Sequence, residues 1–385
     1  MSQGCLNLLA HLDPAYGGLS ASLPPLCAST AAAGGFPSSI AAFCDRREEF
    51  EVADVRVSRL PSLLRRAVIS QLARLIEASD IVHIHGLWQH PTLLGAWLSR
   101  RAGKPYVISA HGMLEPWALR RGRWKKAIYS AITERKKLAR AACLLALTAD
   151  EVENYRAFGL ENPVAVVPNG VAIPEATRDL FLNSFPDLQG RRLVLYMGRI
   201  HHKKGPDVLV NAWASVARRF PETQLVVAGP DFQETEPRIK ELAARQGIAE
   251  RVSFPGLLRG DLKWSALAAC TVFVLPSHSE GFSVAALEAL ASAKPVILSP
   301  HCHFPEVGKR RCGWIVAPQA EPVAQALTQA LETPLGRLEE IGAAGQALVR
   351  ERYSWDVVGR QMAEIYRWVL GGPKPSLTPI LFQAC

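Results

Sequence analysis

Glu280 and Glu288 lie in the stretch His278 to Ala291, HSEGFSVAALEALA, with seven residues between them. Ser283 is suited to cap the helix that the following apolar residues predict, and Gly281 permits backbone angles that other residues resist. At about 100° per residue, the eight helical steps from one glutamate to the other leave the carboxylates well apart. They can serve one ligand only if Glu280 sits on the loop before the helix and the helix start points between them. That start carries free N–H groups and partial positive charge, which suits a phosphate. A sugar nucleotide fits this chemistry, with carboxylates for hydroxyls and the helix terminus for a diphosphate.

Upstream, residues 198–205 read GRIHHKKG and follow an apolar run directly. A departing nucleoside diphosphate gains negative charge as its glycosidic bond breaks, so fixed cations such as Arg199 and Lys204 would lower the barrier. A solvated basic loop is the competing reading. In the first half of the chain His85 and His111 each follow an apolar run, and Gly17 and Gly18 follow another. Open α/β sheets bind ligands at the carboxyl ends of their strands, which is where all four residues would fall. A histidine or glycine in such a place can equally be structural, and for His85 the structural reading leads.

The elements that must hold these residues alternate between short apolar runs and helical stretches, the pattern of parallel α/β domains. In the first half, strands are expected at residues 6–10, 80–84, 105–109, 143–147 and 164–167. In the second half they are expected at 193–197, 224–228, 251–254, 271–275, 295–298 and 313–316. A chain of 385 residues exceeds what one core usually supports, so two domains are expected. The mixed Pro, Asp, Asn and Gly residues up to about 191 read as the linker between them.

The apolar fraction of 49% and charged fraction of 21% are those of an ordinary soluble protein, and no run of about 20 apolar residues predicts a membrane span. The first residues, MSQGCLNLLAHLDPAYGG, lack the cationic start and apolar region of a signal peptide and read as a core strand. Eight scattered cysteines without a CxxC pair suit a reducing cytosol. His301, Cys302, His303 and Cys312 crowd one loop but match no common structural zinc spacing.

The net charge of +9 permits anionic partners, and the charge concentrates at residues 119–141. There Arg120, Arg121, Arg123, Lys125, Lys126, Arg135, Lys136, Lys137 and Arg140 flank an apolar stripe, against Glu134 alone. Such a helix can lie on an anionic membrane, or it can pack its stripe inward and leave the charges solvated. No aromatic platform or reading motif accompanies the charge, which argues against nucleic acid.

Taken together, Arg199, Lys204, Glu280 and Glu288 in this order resemble the G-R-x-x-x-x-K-G and E-x7-E segments of the family-four retaining glycosyltransferases, also called glycosyl transferases group 1. The segments HGMLEPW at 111–117, PNGV at 168–171 and FPEV at 304–307 are similar to family segments too. The resemblance covers about residues 1–370, by short segments only in the first half. It implies a GT-B fold, two Rossmann-like α/β domains facing a central cleft. The domains would be 1–175 for the acceptor and 192–354 for the nucleotide sugar, with a linker at 176–191. A helix at 355–370 would cross back to the first domain, and 371–385 would be a tail.

The resemblance also implies site roles. Glu288 would take the ribose hydroxyls, and Glu280 with the backbone of Gly281, Phe282 and Ser283 would hold the sugar. Arg199 and Lys204 would stabilise the diphosphate, His111 would contact the sugar, and Gly17 and Gly18 would face donor and acceptor. It implies retention of anomeric configuration. No D-x-D occurs in the chain, so neither a catalytic metal nor another cofactor is expected. The family includes enzymes of exopolysaccharide and lipopolysaccharide biosynthesis. That makes a glycan or polyprenyl-diphosphate-linked acceptor the expected partner, in the cytoplasm or on the inner face of the plasma membrane. Three rivals remain: a glycosidase using the two glutamates as a carboxylate pair, a sugar-nucleotide epimerase of the same fold, and a non-catalytic membrane-associated sugar-nucleotide binding protein.

Overall fold

The computed structural model describes residues 4–12, 18–43, 55–61, 66–116 and 133–381. Gly17 and the cations from Arg120 to Lys126 lie outside the described residues. The chain divides into two compact units, one made of residues 1–170 with 353–385 and the other of 171–352.

The first unit runs β1 (Cys5–Leu9), α1 (Gly18–Ala32), β2 (Ser38–Phe43), β3 (Arg56–Leu60), α2 (Arg66–Glu77), β4 (Ile81–His85), α3 (His90–Arg101), β5 (Tyr106–Ser109), α4 (Arg135–Ala139), β6 (Cys143–Ala146), α5 (Ala149–Ala157) and β7 (Val164–Val166). The second continues with α6 (Asp179–Ser184), β8 (Arg192–Met197), α7 (Pro206–Val216), β9 (Thr223–Ala228), α8 (Thr235–Arg245), β10 (Val252–Gly256), α9 (Gly260–Ala269), β11 (Val272–Leu275), α10 (Val284–Ala291), β12 (Val296–Leu298), α11 (Glu306–Lys309), β13 (Gly313–Ile315), α12 (Ala320–Glu332) and α13 (Leu335–Arg352). The chain then returns to the first unit with α14 (Trp355–Val369) and β14 (Ile380–Leu381).

Strands such as CLNLL and IVHIH are buried at every residue, because parallel sheets are covered on both faces. Side chains alternate between the faces. Val82 and Ile84 of β4 join a core built with α2, α3 and α5, while Ile81 faces the core that α14 closes with Val358, Met362, Ala363 and Tyr366. His83 and His85 share the parity of Ile81.

Strand order places the loops that matter. The first sheet is ordered β14-β7-β6-β5-β4-β1-β2-β3 and the second β10-β9-β8-β11-β12-β13. In the first, β1 pairs with β2 on one side and β4 on the other; in the second, β8 lies between β9 and β11. At such reversals the crossovers leave in opposite directions and open a crevice at the strand carboxyl ends. The loop after β4 lies at the first reversal. The loops after β8 and β11, which hold Gly198 to Gly205 and Pro276 to Ser283, flank the second.

Two stretches differ from their reading in the sequence. The proposed linker at 176–191 contains α6, whose Phe181 is buried against Phe185 and whose N–H donates to Ser265 Oγ at 2.9 Å, so it belongs to the second unit. The proposed tail from 371 supplies β14, antiparallel to β7, and the N–H groups of Ser376 and Leu377 both donate to Glu364 Oε2 at 3.0 Å.

Helix α14 packs on α1 at close range because small residues meet there. A Cβ added at Gly359 would lie 2.4 Å from the Ser29 carbonyl oxygen, which is backbone and cannot yield. Gly359→Val is therefore expected to destabilise the first unit by about 1–3 kcal/mol, the usual cost of overpacking. Urea denaturation will measure it, and limited proteolysis should show faster cutting near Tyr353.

Candidate functional site

In the second unit the residues singled out by the sequence fall on the two loops at the sheet reversal and on the helix α10 that follows one of them. Ser283 caps α10, its Oγ accepting from the Ala286 N–H at 3.3 Å, so Glu280 stands in the loop and Glu288 inside the helix. Glu280 is 5% exposed. Its carboxylate takes the Lys204 ammonium on both oxygens and accepts from Ser277 Oγ at 2.8 Å. The backbone secures the same junction, where the His278 N–H donates to the Lys203 carbonyl at 2.8 Å.

Lys204 closes a single 3-10 turn, His202–Lys204, that His201 caps through Nδ1. Gly205 ends that turn at φ +68°, and an added Cβ would meet the Pro276 carbonyl at 2.2 Å. Only glycine brings the two loops this close. Arg199 follows β8, where the buried Tyr196 hydroxyl donates to its carbonyl at 3.0 Å and its guanidinium lies over the Phe232 ring at 5.7 Å.

Glu288 is paired separately. Lys263 of α9 donates to its Oε1 at 2.6 Å and lies 4.3 Å from the Trp264 ring centre. Burial raises the Glu288 pKa, and the Lys263 charge opposes the rise. Each motif carboxylate thus has its own lysine, a pairing the sequence did not disclose for Lys263. The Phe282 side chain packs on Phe304 with ring centres 4.9 Å apart, and Gly281 is half-buried beside it.

In the first unit, Gly18 is the exposed first residue of α1. His111 follows β5 in the left-handed region at φ +54°. Bonds on both sides hold it there. Tyr155 and Glu151, one turn apart on α5, accept from the Ala110 N–H at 3.0 Å and the Gly112 N–H at 2.7 Å. The ring stacks on His85, with His111 Nε2 3.0 Å from His85 Nδ1. Burial drops the His111 pKa to about 4 and holds His85 well below the usual range, so both are neutral at physiological pH. Glu151, Tyr155 and Asn7 were not legible as site-supporting residues, since nothing in their spacing points to the His111 loop.

The described part of the basic segment corrects one reading. Lys137 is 4% exposed, not a surface cation. Its ammonium is 2.7 Å from Glu134 Oε2 and donates to Thr92 Oγ1, while Glu134 Oε1 accepts from the Trp88 N–H at 2.8 Å. Burial lowers the Lys137 pKa and Glu134 opposes the fall. A lone carboxylate among many cations is better read as the one partner an inward lysine requires. Arg135, Lys136 and Arg140 are exposed. Among the described residues no helix is long and apolar enough to cross a membrane.

Two parallel-sheet α/β units with loops gathered at each sheet reversal define a GT-B architecture, and solved structures support it. Anabaena HepE in complex with UDP-glucose matches with a TM-score of 0.75 at 20% identity, over 95% of this chain and 99% of that one. Sucrose-phosphate synthase from Thermosynechococcus elongatus matches with a TM-score of 0.74 at 22% identity, over 96% of this chain and 99% of the other. Residues 180–347 match the family described as glycosyl transferases group 1, and residues 17–170 match a glycosyl transferase 4-like domain. The alpha-maltose-1-phosphate synthase of Mycolicibacterium smegmatis is 32% identical over 324 residues, 76% of this chain and 80% of that protein. An uncharacterised glycosyltransferase of Methanocaldococcus jannaschii is 25% identical over 76% of each chain. The chain belongs to the glycosyl transferases group 1 family and is a glycosyltransferase.

Two consequences can be measured. Lys204→Met leaves Glu280 buried beside Ser277 alone and should cost about 1–3 kcal/mol, below the full penalty for a broken buried pair because Lys204 is partly exposed. Adding Glu280→Gln should restore most of that loss, and a double-mutant cycle in urea reads the coupling. Glu151 gives a pH signature: burial raises its pKa from 4.5 to about 7 against the Gly112 and Leu147 N–H bonds. The folded state holds this proton more tightly than the unfolded state, so the contribution is complete below pH 4.5 and is lost as pH rises through about 7. The Tm of the native protein minus that of Glu151→Gln should fall across this window.

Proposed function

We propose that the chain is a retaining, metal-independent transferase that moves a sugar from a nucleoside-diphosphate sugar to a glycan or polyprenyl-diphosphate-linked acceptor in cell-surface polysaccharide biosynthesis. The observation that carries this reading is the Lys204–Glu280 pair at the reversal of the second sheet, beside the start of α10. Carboxylate, ammonium and helix N-terminus together offer acceptors for sugar hydroxyls and positive charge for a diphosphate. Support for the donor class comes from HepE, which binds UDP-glucose.

In this mechanism Glu288 accepts from the ribose hydroxyls and Glu280 from the sugar, with the backbone of Gly281, Phe282 and Ser283 completing the donor contacts. The glycine loop before α1 would face the donor diphosphate and the acceptor. The acceptor oxygen forms its bond to the anomeric carbon on the face from which the diphosphate departs, and the acceptor proton passes to the departing phosphate oxygen. Arg199 and Lys204 stabilise the charge that develops there. An ammonium has three N–H donors, so Lys204 can serve a phosphate while still bonded to Glu280. His111 contacts the sugar. The exposed cations Arg135, Lys136 and Arg140 would favour an anionic acceptor or the anionic surface that carries it.

Calorimetry with UDP- and GDP-sugars tests this reading. One donor class should bind the wild type, and Glu288→Ala should weaken it at least about tenfold, since hydrogen bonds to charged groups are worth ~1.5–3 kcal/mol. A folded protein that binds no sugar nucleotide would overturn it.

A further inference from the structure

We propose that His85 is a positioning residue which, anchored by Asn7, fixes the tautomer of His111 and thereby makes it a hydrogen-bond acceptor for a sugar hydroxyl. The inference rests on the reading of His111 as a sugar-contacting residue and adds what that contact can recognise. Each donor along the path from Asn7 to His111 forces the next acceptor. Asn7 is buried in β1, and its Nδ2 donates to the Ser39 carbonyl of β2 at 3.3 Å. That bond turns the amide so that Oδ1 faces His85 Nε2 at 3.1 Å. A carbonyl oxygen only accepts, so His85 Nε2 carries the proton. His85 is neutral, so its Nδ1 has a lone pair. This Nδ1 lies 3.0 Å from His111 Nε2, which must therefore donate. His111 Nδ1 is left with a lone pair of its own.

The other neighbour of His85 does not disturb this order. His83 lies against it with ring centres 3.8 Å apart and planes tilted by 32°, and its own nitrogens are bonded to Tyr366 Oη and Ser109 Oγ, each at 2.8 Å. The backbone clamp by Tyr155 and Glu151 fixes where the His111 ring starts, and His85 fixes which way its proton points. The consequence is chemical selectivity. A bare ring nitrogen accepts from a hydroxyl, whereas a phosphate or carboxylate oxygen has no proton to give it. His111 would then favour the hydroxyl-bearing end of a sugar nucleotide over its anionic end.

NMR correlation of the histidine ring nitrogens in the full chain at neutral pH tests the tautomers directly. His85 and His111 should both be neutral with the proton on Nε2. His85→Phe keeps a stacking ring without nitrogens and should populate the other His111 tautomer. Asn7→Leu should loosen the preference with His85 still present, which keeps the test independent of any packing fault at position 85. The second readout is affinity for UDP-glucose and GDP-mannose against UDP and GDP. His85→Phe should weaken the sugar nucleotide that binds by about tenfold and leave the bare nucleotide unchanged, because the lost bond is to the sugar. A proton on His111 Nδ1 in the wild type, or a tautomer unmoved by His85→Phe, overturns the inference. If the tautomer moves as expected but His111→Phe leaves sugar-nucleotide affinity intact, the relay stands and the sugar-contacting role of His111 is overturned.

Discussion

The carboxylate of Glu280 is the constraint on which the second domain's loops depend. A buried carboxylate without partners is costly, and Glu280 meets that cost with an ammonium from the loop after β8 and a hydroxyl from its own loop after β11. The two loops leave adjacent strands at the reversal of the sheet, so the ion pair and the His278–Lys203 backbone bond together fix their separation. Gly205 makes the approach sterically possible, and Ser283 starts α10 in register with it. A set of groups that is already paired and oriented before any ligand arrives needs little reorganisation later.

The first domain solves a related problem with hydrogen bonds rather than an ion pair. His111 sits in a backbone conformation that a side chain with a Cβ does not favour, and three elements over-determine it: α5 through Tyr155 and Glu151, β4 through His85, and β1 behind His85 through Asn7. Strained residues persist where their surroundings leave no alternative. The second domain uses charge for precision and the first uses hydrogen-bond polarity.

Fold and site were legible in the sequence to different depths. Most of the parallel strands could be read because they are short continuous apolar runs, and the residues after them could be placed at strand ends for the same reason; β2, SSIAAF, opens on two serines and was not expected. The edge strand β3, RVSRL, carries two arginines and is buried only at Leu60, so no apolar run announces it. Helix α6 was hidden by composition: its neighbours are Pro, Asp and Asn, and Phe181 is its one fully buried residue. The motif residues announced themselves through type and spacing, but their partners did not. Lys263 lies 25 positions from Glu288 and His85 lies 26 from His111. Such pairings are set by which strands are neighbours, which local patterns do not encode. Lys137 shows the converse, since a cation in a basic run looks like every other until its burial is known.

Helix α14 has a consequence for how the protein is made. It covers one face of a sheet whose seven parallel strands are all finished by Val166, yet it is synthesised only after the whole second unit. At 5–20 residues per second, the roughly 200 residues between them take about 10–40 s to emerge. For that interval the cluster of Phe36, Ile81, Val107 and Leu145 lacks the Val358, Met362, Ala363 and Tyr366 side chains of α14, and β7 has no β14 beside it. The first half of the chain to leave the ribosome is thus the last to be completed.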